Sequence, residues 1–229
     1  MIGILVILAI SWLLLYFIEK KHITALGLLP VGKRLKQFGI GFLITAVLCV
    51  LTQILEAFLR EASWRVNEAI TPQAVLQSIW WDLKSVLTEE LLFRGALLYI
   101  LIHRLGSKAA IAISAIAFGV YHWFSYGMFS VSLGMIVVFL GTGLMGFAWA
   151  WAFAKTRSIF LPLGLHLGWN VIYNTLFSKG PLGESILSPT TGEALTGWPS
   201  FFNFITGLVI VPIIVLLYVR YGIKSQTAQ

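Results

Sequence analysis

The sequence predicts an all-α fold, a polytopic bundle of about seven to eight membrane helices. Hydrophobic residues make up 59% of the 229 residues, charged residues make up only 11%, and the mean hydropathy is +0.90. These values lie far outside the range of soluble domains. Long stretches without charge alternate with short charged connections, as expected of successive membrane spans of about 20 residues. We therefore interpret residues 1–229 as a single integral membrane domain.

The first predicted span covers residues 2–18. It has no basic region at its start and no small-residue cleavage site, and Glu19-Lys20-Lys21 follows it. A retained membrane span explains this pattern better than a signal peptide does.

The gaps between charged residues place the other spans. No Asp, Glu, Lys or Arg occurs in 37–55, 109–154, 158–178 or 194–219, and the second of these is long enough for two passages. We predict the remaining spans at 37–59, 75–103, 109–126, 131–154, 158–178 and 203–220. The span 75–103 alone is interrupted by charges in its interior, and it is too long for one straight passage. Its first turns would lie in the interface or form an extra short helix.

Basic residues predict the orientation. With seven spans, the connections 19–36, 104–108 and 155–157 and the tail from residue 220 onwards share one side, which collects 11 of the 16 basic residues. That side would be cytoplasmic, with the N-terminus outside and the C-terminus inside, whereas an eighth span would reverse one end. The basic residues are spread over loops and form no stripe, so nothing indicates a nucleic-acid partner.

Three polar motifs lie inside these apolar stretches. They are Glu89-Glu90-Leu-Leu-Phe-Arg94, Phe118-Gly-Val-Tyr-His122 and His166-Leu-Gly-Trp-Asn170. Ionisable side chains at membrane depth are costly and persist mostly where they pair inside a bundle, line a wet cavity or perform chemistry. The motifs therefore predict a buried functional site.

Helical spacing assigns different tasks to the two adjacent glutamates. Residues four apart share a helix face, so Glu90 lies beside Arg94, while Glu89 points about 100° away. The pair at that spacing would be structural, since each charge holds the other inside the bundle. The remaining carboxylate, Glu89, would be free for chemistry.

Depth along the helices allows the motifs to meet. At ~1.5 Å per residue from the nearest basic loop residue, one layer contains Glu89, His122, His166 and Asn170. This layer lies in the half of the membrane remote from the basic loops. Gly164 and Gly168 flank His166 with the spacing of a small-residue pair, which predicts ordinary packing or a close approach of a neighbouring helix beside the histidine.

Two chemistries fit this set of side chains. A carboxylate beside an imidazole can take a proton from water, and a second imidazole with a carboxamide can stabilise the oxyanion of an amide hydrolysis. The same carboxylate and imidazoles, namely Glu89, His122 and His166, are also a ligand set for catalytic zinc. The residues alone leave both mechanisms open.

In this order on successive membrane helices, the three motifs resemble those of the CPBP family, the CAAX prenyl protease and bacteriocin-processing intramembrane proteases also called Abi proteins. The resemblance covers roughly residues 80–178. It divides the chain into N-terminal spans (1–79), a catalytic core (80–178), a loop (179–202) and a last span with its tail (203–229).

The resemblance implies a role for each matched position. Two residues would activate water, Glu89 and His122. Two would bind the oxyanion, His166 and Asn170. Three would support the site, Glu90, Arg94 and Phe118. Members have been described both as metalloproteases and as metal-independent glutamate-type proteases; we favour the second type with no cofactor, and zinc is the alternative.

The resemblance also implies an endopeptidase in a bacterial plasma membrane, acting on a membrane-embedded or membrane-anchored peptide or protein. Prenylated cytosolic tails fit poorly, because the predicted site lies in the extracytoplasmic half. Two alternatives remain. One is a catalytically silent membrane scaffold of the same family. The other is a proton-coupled transporter that uses the ionisable residues as a relay, although the repeated halves typical of transporters are not evident.

Overall fold

A computed structural model describes residues 2–130 and 132–224 as a helical bundle, which confirms the predicted fold class. The helices are α1 Ile2–Glu19, α2 Val31–Leu59, α3 Pro72–Arg94, α4 Ala96–Leu105, α5 Ser107–Ser125, α6 Leu133–Thr156, α7 Phe160–Asn170, α8 Gly197–Ile205 and α9 Val211–Leu217. A 3-10 turn at Ile23–Leu26 precedes α2. Three π-helical segments continue these helices without a break. They are Val171–Leu176 after α7, Thr206–Ile210 between α8 and α9, and Tyr218–Gly222 after α9.

Among the described residues, four helical stretches are long and apolar enough to cross a membrane by length and composition alone. They are Ile2–Glu19, Ile23–Leu59, Leu133–Thr156 and Gly197–Gly222. The protein is therefore an integral membrane protein. The other three predicted spans are those that carry the polar motifs, and the total of seven spans stays a prediction.

The stretch 75–103 is divided into two helices, as its length required, but the short helix lies at the end of the stretch and not in its first turns. Helix α3 begins at Pro72, where the Thr71 hydroxyl caps it by accepting from the Ala74 N–H, and it ends at Arg94. Gly95 then leaves the helical conformation, and a side chain there would overlap the Leu91 carbonyl, so the break depends on glycine. Helix α4 begins directly after this break, at Ala96.

The segment 179–202 is also more ordered than the plain loop that the sequence predicted. Within it, strand β2 (Leu187–Pro189) pairs antiparallel with strand β1 (Trp64–Val66). The last helical rod begins at Gly197 instead of residue 203. Each strand has three residues, which is too short for an alternating pattern to be read from the sequence.

The charged connections gather at one end of the bundle, as the predicted orientation requires. The Glu19 carboxylate at the end of α1 accepts hydrogen bonds from His103 and Arg104 at the end of α4, at 3.2 and 3.1 Å. The Lys155 ammonium at the end of α6 donates to the carbonyl of Arg220 at the end of the last rod, at 2.6 Å. Strand β1 follows the C-terminal end of α2, and strand β2 comes after the C-terminal end of α7 and its π-helical segment. Both strands therefore lie at the other end of the bundle.

The predicted close approach beside His166 is present. Helices α2 and α7 pack so tightly that a Cβ at Gly164 would overlap the Phe38 carbonyl oxygen, and one at Gly168 would overlap the Phe42 carbonyl oxygen. These two glycines let the backbone of α7 approach α2 directly. The contact therefore sets the position of the helix that carries His166 and Asn170.

We expect Gly168→Ala to destabilise the fold by about 1–3 kcal/mol, because the added methyl group must push α7 away from backbone atoms of α2. Gly39→Ala on α2 is the matched control, since a Cβ there meets nothing within 4 Å. Thermal unfolding in detergent measures both. An equal melting temperature for the two variants would show that α7 can shift without cost.

Candidate active site

The structure brings three of the four predicted catalytic residues together. Glu89 of α3 points one carboxylate oxygen, Oε2, at the Nε2 atoms of His122 on α5 and His166 on α7, at 4.0 and 3.8 Å. All three side chains are buried. Asn170 lies one turn beyond His166 and is half-buried, and no hydrogen bond among residues 2–130 and 132–224 uses its side chain. The three motifs thus form one cluster, with a free carboxamide beside it.

The expected pair of Glu90 and Arg94 is present, and Glu90 also contacts a residue on a second helix. Arg94 Nη1 donates to Glu90 Oε1 at 3.1 Å, and both side chains are fully buried. The same Oε1 lies 2.9 Å from Nδ1 of His166. Glu90 therefore also joins α3 to the imidazole ring of α7, a link that the sequence interpretation missed.

The Arg94 guanidinium is enclosed by an anion, a carbonyl and aromatic rings. Its Nη2 donates to the Gly146 carbonyl on α6 at 3.2 Å. The guanidinium carbon lies 4.1 Å from the centre of the Phe118 ring and 5.1 Å from that of Trp149. Gly146 has room only for hydrogen, since a Cβ would stand 3.0 Å from Nη2. These contacts replace part of the hydration that a buried cation loses.

His122 has a defined tautomer. Its Nδ1 lies 2.8 Å from the Phe118 carbonyl oxygen, and a carbonyl can only accept, so Nδ1 carries the proton. In the neutral ring Nε2 then presents a lone pair, and this atom faces Glu89. The Phe118 ring also stands edge-on to His122, with 4.4 Å between ring centres. Phe118 thus supports the site through its backbone and its ring.

His166 is held on two sides. Its Nδ1 pairs with Glu90, and its ring stacks on the indole of Trp149 with 3.9 Å between centres and 18° between planes. The sequence analysis left Trp149 outside the site, and the aromatic belt typical of membrane interfaces does not explain it, because it is 4% exposed. Helix α6 carries no polar motif, so no signal in one sequence marks this tryptophan as part of the site.

The Glu89 carboxylate has one satisfied and one unsatisfied oxygen. The Ser85 hydroxyl donates to Oε1 at 3.3 Å. Oε2 is buried and has no hydrogen-bond partner in the described part of the chain. Its separations from the two imidazoles exceed direct hydrogen-bond length and fit a bridging water.

The chemistry of the donors suits zinc, but their spacing does not. Both imidazoles engage Nδ1 elsewhere and turn Nε2 towards Glu89. Two ligands of a tetrahedral zinc stand roughly 3.4 Å apart, given bonds of about 2.1 Å, whereas these nitrogens lie 3.8 and 4.0 Å from the carboxylate oxygen. Among the described residues, no three His, Cys, Asp or Glu side chains meet the geometry of a metal site. The ligands would have to move inward to bind zinc.

A second polar cluster lies closer to the strand end of α3. Asp82 is fully buried and accepts hydrogen bonds from Asn174 Nδ2 at 2.5 Å and from the Thr175 hydroxyl at 3.2 Å. The Thr175 hydroxyl also pairs with that of Ser78 at 2.7 Å. Asn174 and Thr175 belong to the π-helical segment, whose wider turn changes which residues face α3. Ordinary helical spacing could not have found this contact.

Comparison with known proteins identifies the family. Residues 71–172 match the family model described as type II CAAX prenyl endopeptidase Rce1-like. No curated protein and no solved structure gave a significant match. The matched region extends from the start of α3 into the π-helical segment and contains all three motifs. The part of the chain that carries the three motifs therefore belongs with the CAAX protease family of membrane proteases, the CPBP family.

Proposed function

We propose that the protein is an intramembrane endopeptidase in which Glu89 activates water for the hydrolysis of a peptide bond. The observation that carries this proposal is the unpartnered Oε2 of Glu89, buried between two imidazole Nε2 atoms. An unsatisfied buried carboxylate oxygen is costly unless function requires it. Membership in a protease family supports the same reaction class.

In the first step, a water held between Glu89 and His122 attacks the substrate carbonyl. The His122 lone pair at Nε2 accepts a hydrogen bond from one water O–H, which stays on the oxygen, and so orients the molecule. The other proton passes to the Glu89 carboxylate while the water oxygen forms its bond to the carbonyl carbon. The electron pair of the carbonyl moves to its oxygen, which becomes the oxyanion of the tetrahedral intermediate.

Asn170 and His166 stabilise that oxyanion. The Asn170 carboxamide is available to donate, since no described partner competes for it. His166 already donates from Nδ1 to Glu90, so donation from Nε2 as well requires both ring protons. Glu90 accepts from Nδ1 of such a ring, and the Glu89 carboxylate, 3.8 Å from Nε2, places a second negative charge beside it. When the intermediate collapses, Glu89 returns its proton to the leaving amine nitrogen and the peptide bond breaks.

The substrate we propose is a membrane-embedded or membrane-anchored peptide or protein. The site lies inside the helical bundle, and we place it, from the residue count along each helix, in the half remote from the basic loops. A substrate already in a bilayer, for which we propose a bacterial plasma membrane, would meet the site at that depth. A prenylated tail presented from the basic side would not.

The test is cleavage of a quenched fluorescent peptide library by the detergent-purified protein, with and without a zinc chelator. We expect activity that survives the chelator. Loss of activity on chelation, with recovery when zinc is returned, would instead favour the metalloprotease mechanism. The absence of turnover by the wild type in every mixture would favour the catalytically silent scaffold.

Asn170→Ala offers a separate check of the oxyanion role. We expect kcat to fall about 10²–10³-fold while KM stays close to that of the wild type, because the lost donor acts on charge that develops only in the transition state. The melting temperature should not change, since no described hydrogen bond depends on this side chain. Steady-state kinetics and thermal unfolding of the same preparation measure both. An unchanged kcat would remove Asn170 from the mechanism.

A further inference from the structure

One face of α3 carries a continuous row of polar side chains that ends at Glu89. The row consists of Ser78, Asp82, Ser85 and Glu89. Spacings of four, three and four residues place these side chains above one another on a helix. The row, here called the α3 polar stripe, runs from the strand end of the bundle towards its interior.

The inner end of the stripe is the catalytic carboxylate. Ser85 donates to Oε1 of Glu89 at 3.3 Å, and Oε2 has no partner among the described residues. The neighbouring surfaces on α5 and α6 are aromatic, since Phe118 and Trp149 pack around the histidines. The stripe is therefore the polar connection that reaches Glu89 along α3.

Asp82 lies in the middle of the stripe and has no cationic partner among the described residues. Asp82 is fully buried, and no ion pair in the described part of the chain includes it. Within residues 2–130 and 132–224, its two oxygens accept from Asn174 and Thr175. Each carboxylate oxygen can accept more than one hydrogen bond, so these contacts leave capacity for water. A buried acid supported in this way is typical of a hydrated path through a membrane protein.

The outer end of the stripe opens into a cavity of about 200 Å³ beside strands β1 and β2. Ser78 and Asn174 line its inner wall, and the segment Gly180–Ser185 lines the outer one. The Ser185 hydroxyl is buried and has no partner among the described residues, so it also needs a bound polar molecule. At ~30 Å³ per molecule, the cavity has room for about six waters.

We propose that water enters the site through this cavity and reaches Glu89 along the α3 polar stripe. Hydrolysis consumes one water per peptide bond, and a carboxylate inside an apolar bundle needs a route by which that water arrives. Ser78 and Glu89 are ~16 Å apart along the helix, a distance that a short file of waters and side-chain oxygens can cover. The use of this water in hydrolysis rests on the proposed function, whereas the existence of the route does not.

The route can be tested without any substrate. Cys49 is the single cysteine of the chain and is buried, so Cys49→Ala gives a background in which one new cysteine reports on its own position. Ser78→Cys and Ser85→Cys place thiols on the stripe. Leu83→Cys is the matched control, because two residues along a helix correspond to a rotation of about 200° at nearly the same depth.

Intact cells or right-side-out vesicles are treated with a membrane-impermeant anionic thiosulfonate, and modification is followed by mass. We expect the thiols at 78 and 85 to react at least about tenfold faster than the one at 83, since hydrocarbon contains no water to support the thiolate. A thiol at 85 that reacts no faster than the one at 83 would overturn the route. Reaction only from the side of the basic loops would overturn the entrance at the cavity.

Turnover separates this inference from the proposed function. In active protein, modification of Ser78→Cys should lower kcat because it blocks the water supply. Unchanged turnover after complete modification would overturn the role of the route in hydrolysis. If the thiols on the stripe react quickly but the wild type cleaves nothing, the route stands and the protease assignment fails.

Discussion

Glu89→Gln is expected to lower peptide hydrolysis at least about 10²–10⁴-fold while the protein stays folded. A glutamine amide cannot take a proton from water at neutral pH, and it cannot return one to the leaving nitrogen. The measurement is the initial rate of cleavage of the best peptide in the fluorescent library, with the wild type in the same detergent.

The structure explains why this variant should keep its stability. Oε2 of Glu89 makes no hydrogen bond to the described residues, so replacing it with an amide nitrogen removes no protein contact. Oε1 accepts from Ser85, and the amide oxygen of glutamine can still do so. We expect a melting temperature within a few degrees of the wild type. Full activity in the glutamine variant would reject Glu89 as the base.

Much of this site could be predicted because helical periodicity is a local property. The i, i+4 spacing of Glu90 and Arg94 required them to share a face, and the structure joins them at 3.1 Å. Counting residues from the basic loops placed Glu89, His122 and His166 at one depth, and these side chains do meet. The small-residue pair of α7 likewise identified a close helix contact before its partner was known.

The contacts that could not be predicted are those between side chains on different helices. Trp149 and the Gly146 carbonyl reach the site from α6, whose sequence is apolar on every side. The contact of Asp82 with Asn174 arises because the chain follows a π-helical turn after Asn170. A single sequence shows which residues are unusual at membrane depth, but it does not show which neighbouring helix satisfies them.

The link from Glu90 to His166 is the most consequential of these unexpected contacts. Spacing along α3 identified a pair within one helix, and the structure adds an acceptor for Nδ1 of an imidazole on another helix. An acceptor at Nδ1 fixes the orientation of the ring and the position of its proton. Glu90 is therefore expected to affect both the stability of the protein and the chemistry of His166.

Glu90→Gln is expected to destabilise the protein by about 3–5 kcal/mol, because it leaves the fully buried guanidinium of Arg94 without its anion. Thermal unfolding in detergent measures this loss, and Glu89→Gln is the matched control at the adjacent position. If Glu90→Gln lost activity at full stability while Glu89→Gln remained active, the roles of the two glutamates would be reversed.

A double variant separates the two tasks of Glu90. Replacing both charges, in Glu90→Leu with Arg94→Met, removes the uncompensated cation and should recover most of the stability lost in Glu90→Gln, since apolar replacement of a buried ion pair is often neutral. Hydrolysis should remain low, because His166 has lost the carboxylate that accepts from Nδ1. Recovery of activity together with stability would show that Glu90 acts on the fold alone. Stability without activity would show that catalysis depends on how this carboxylate holds the histidine.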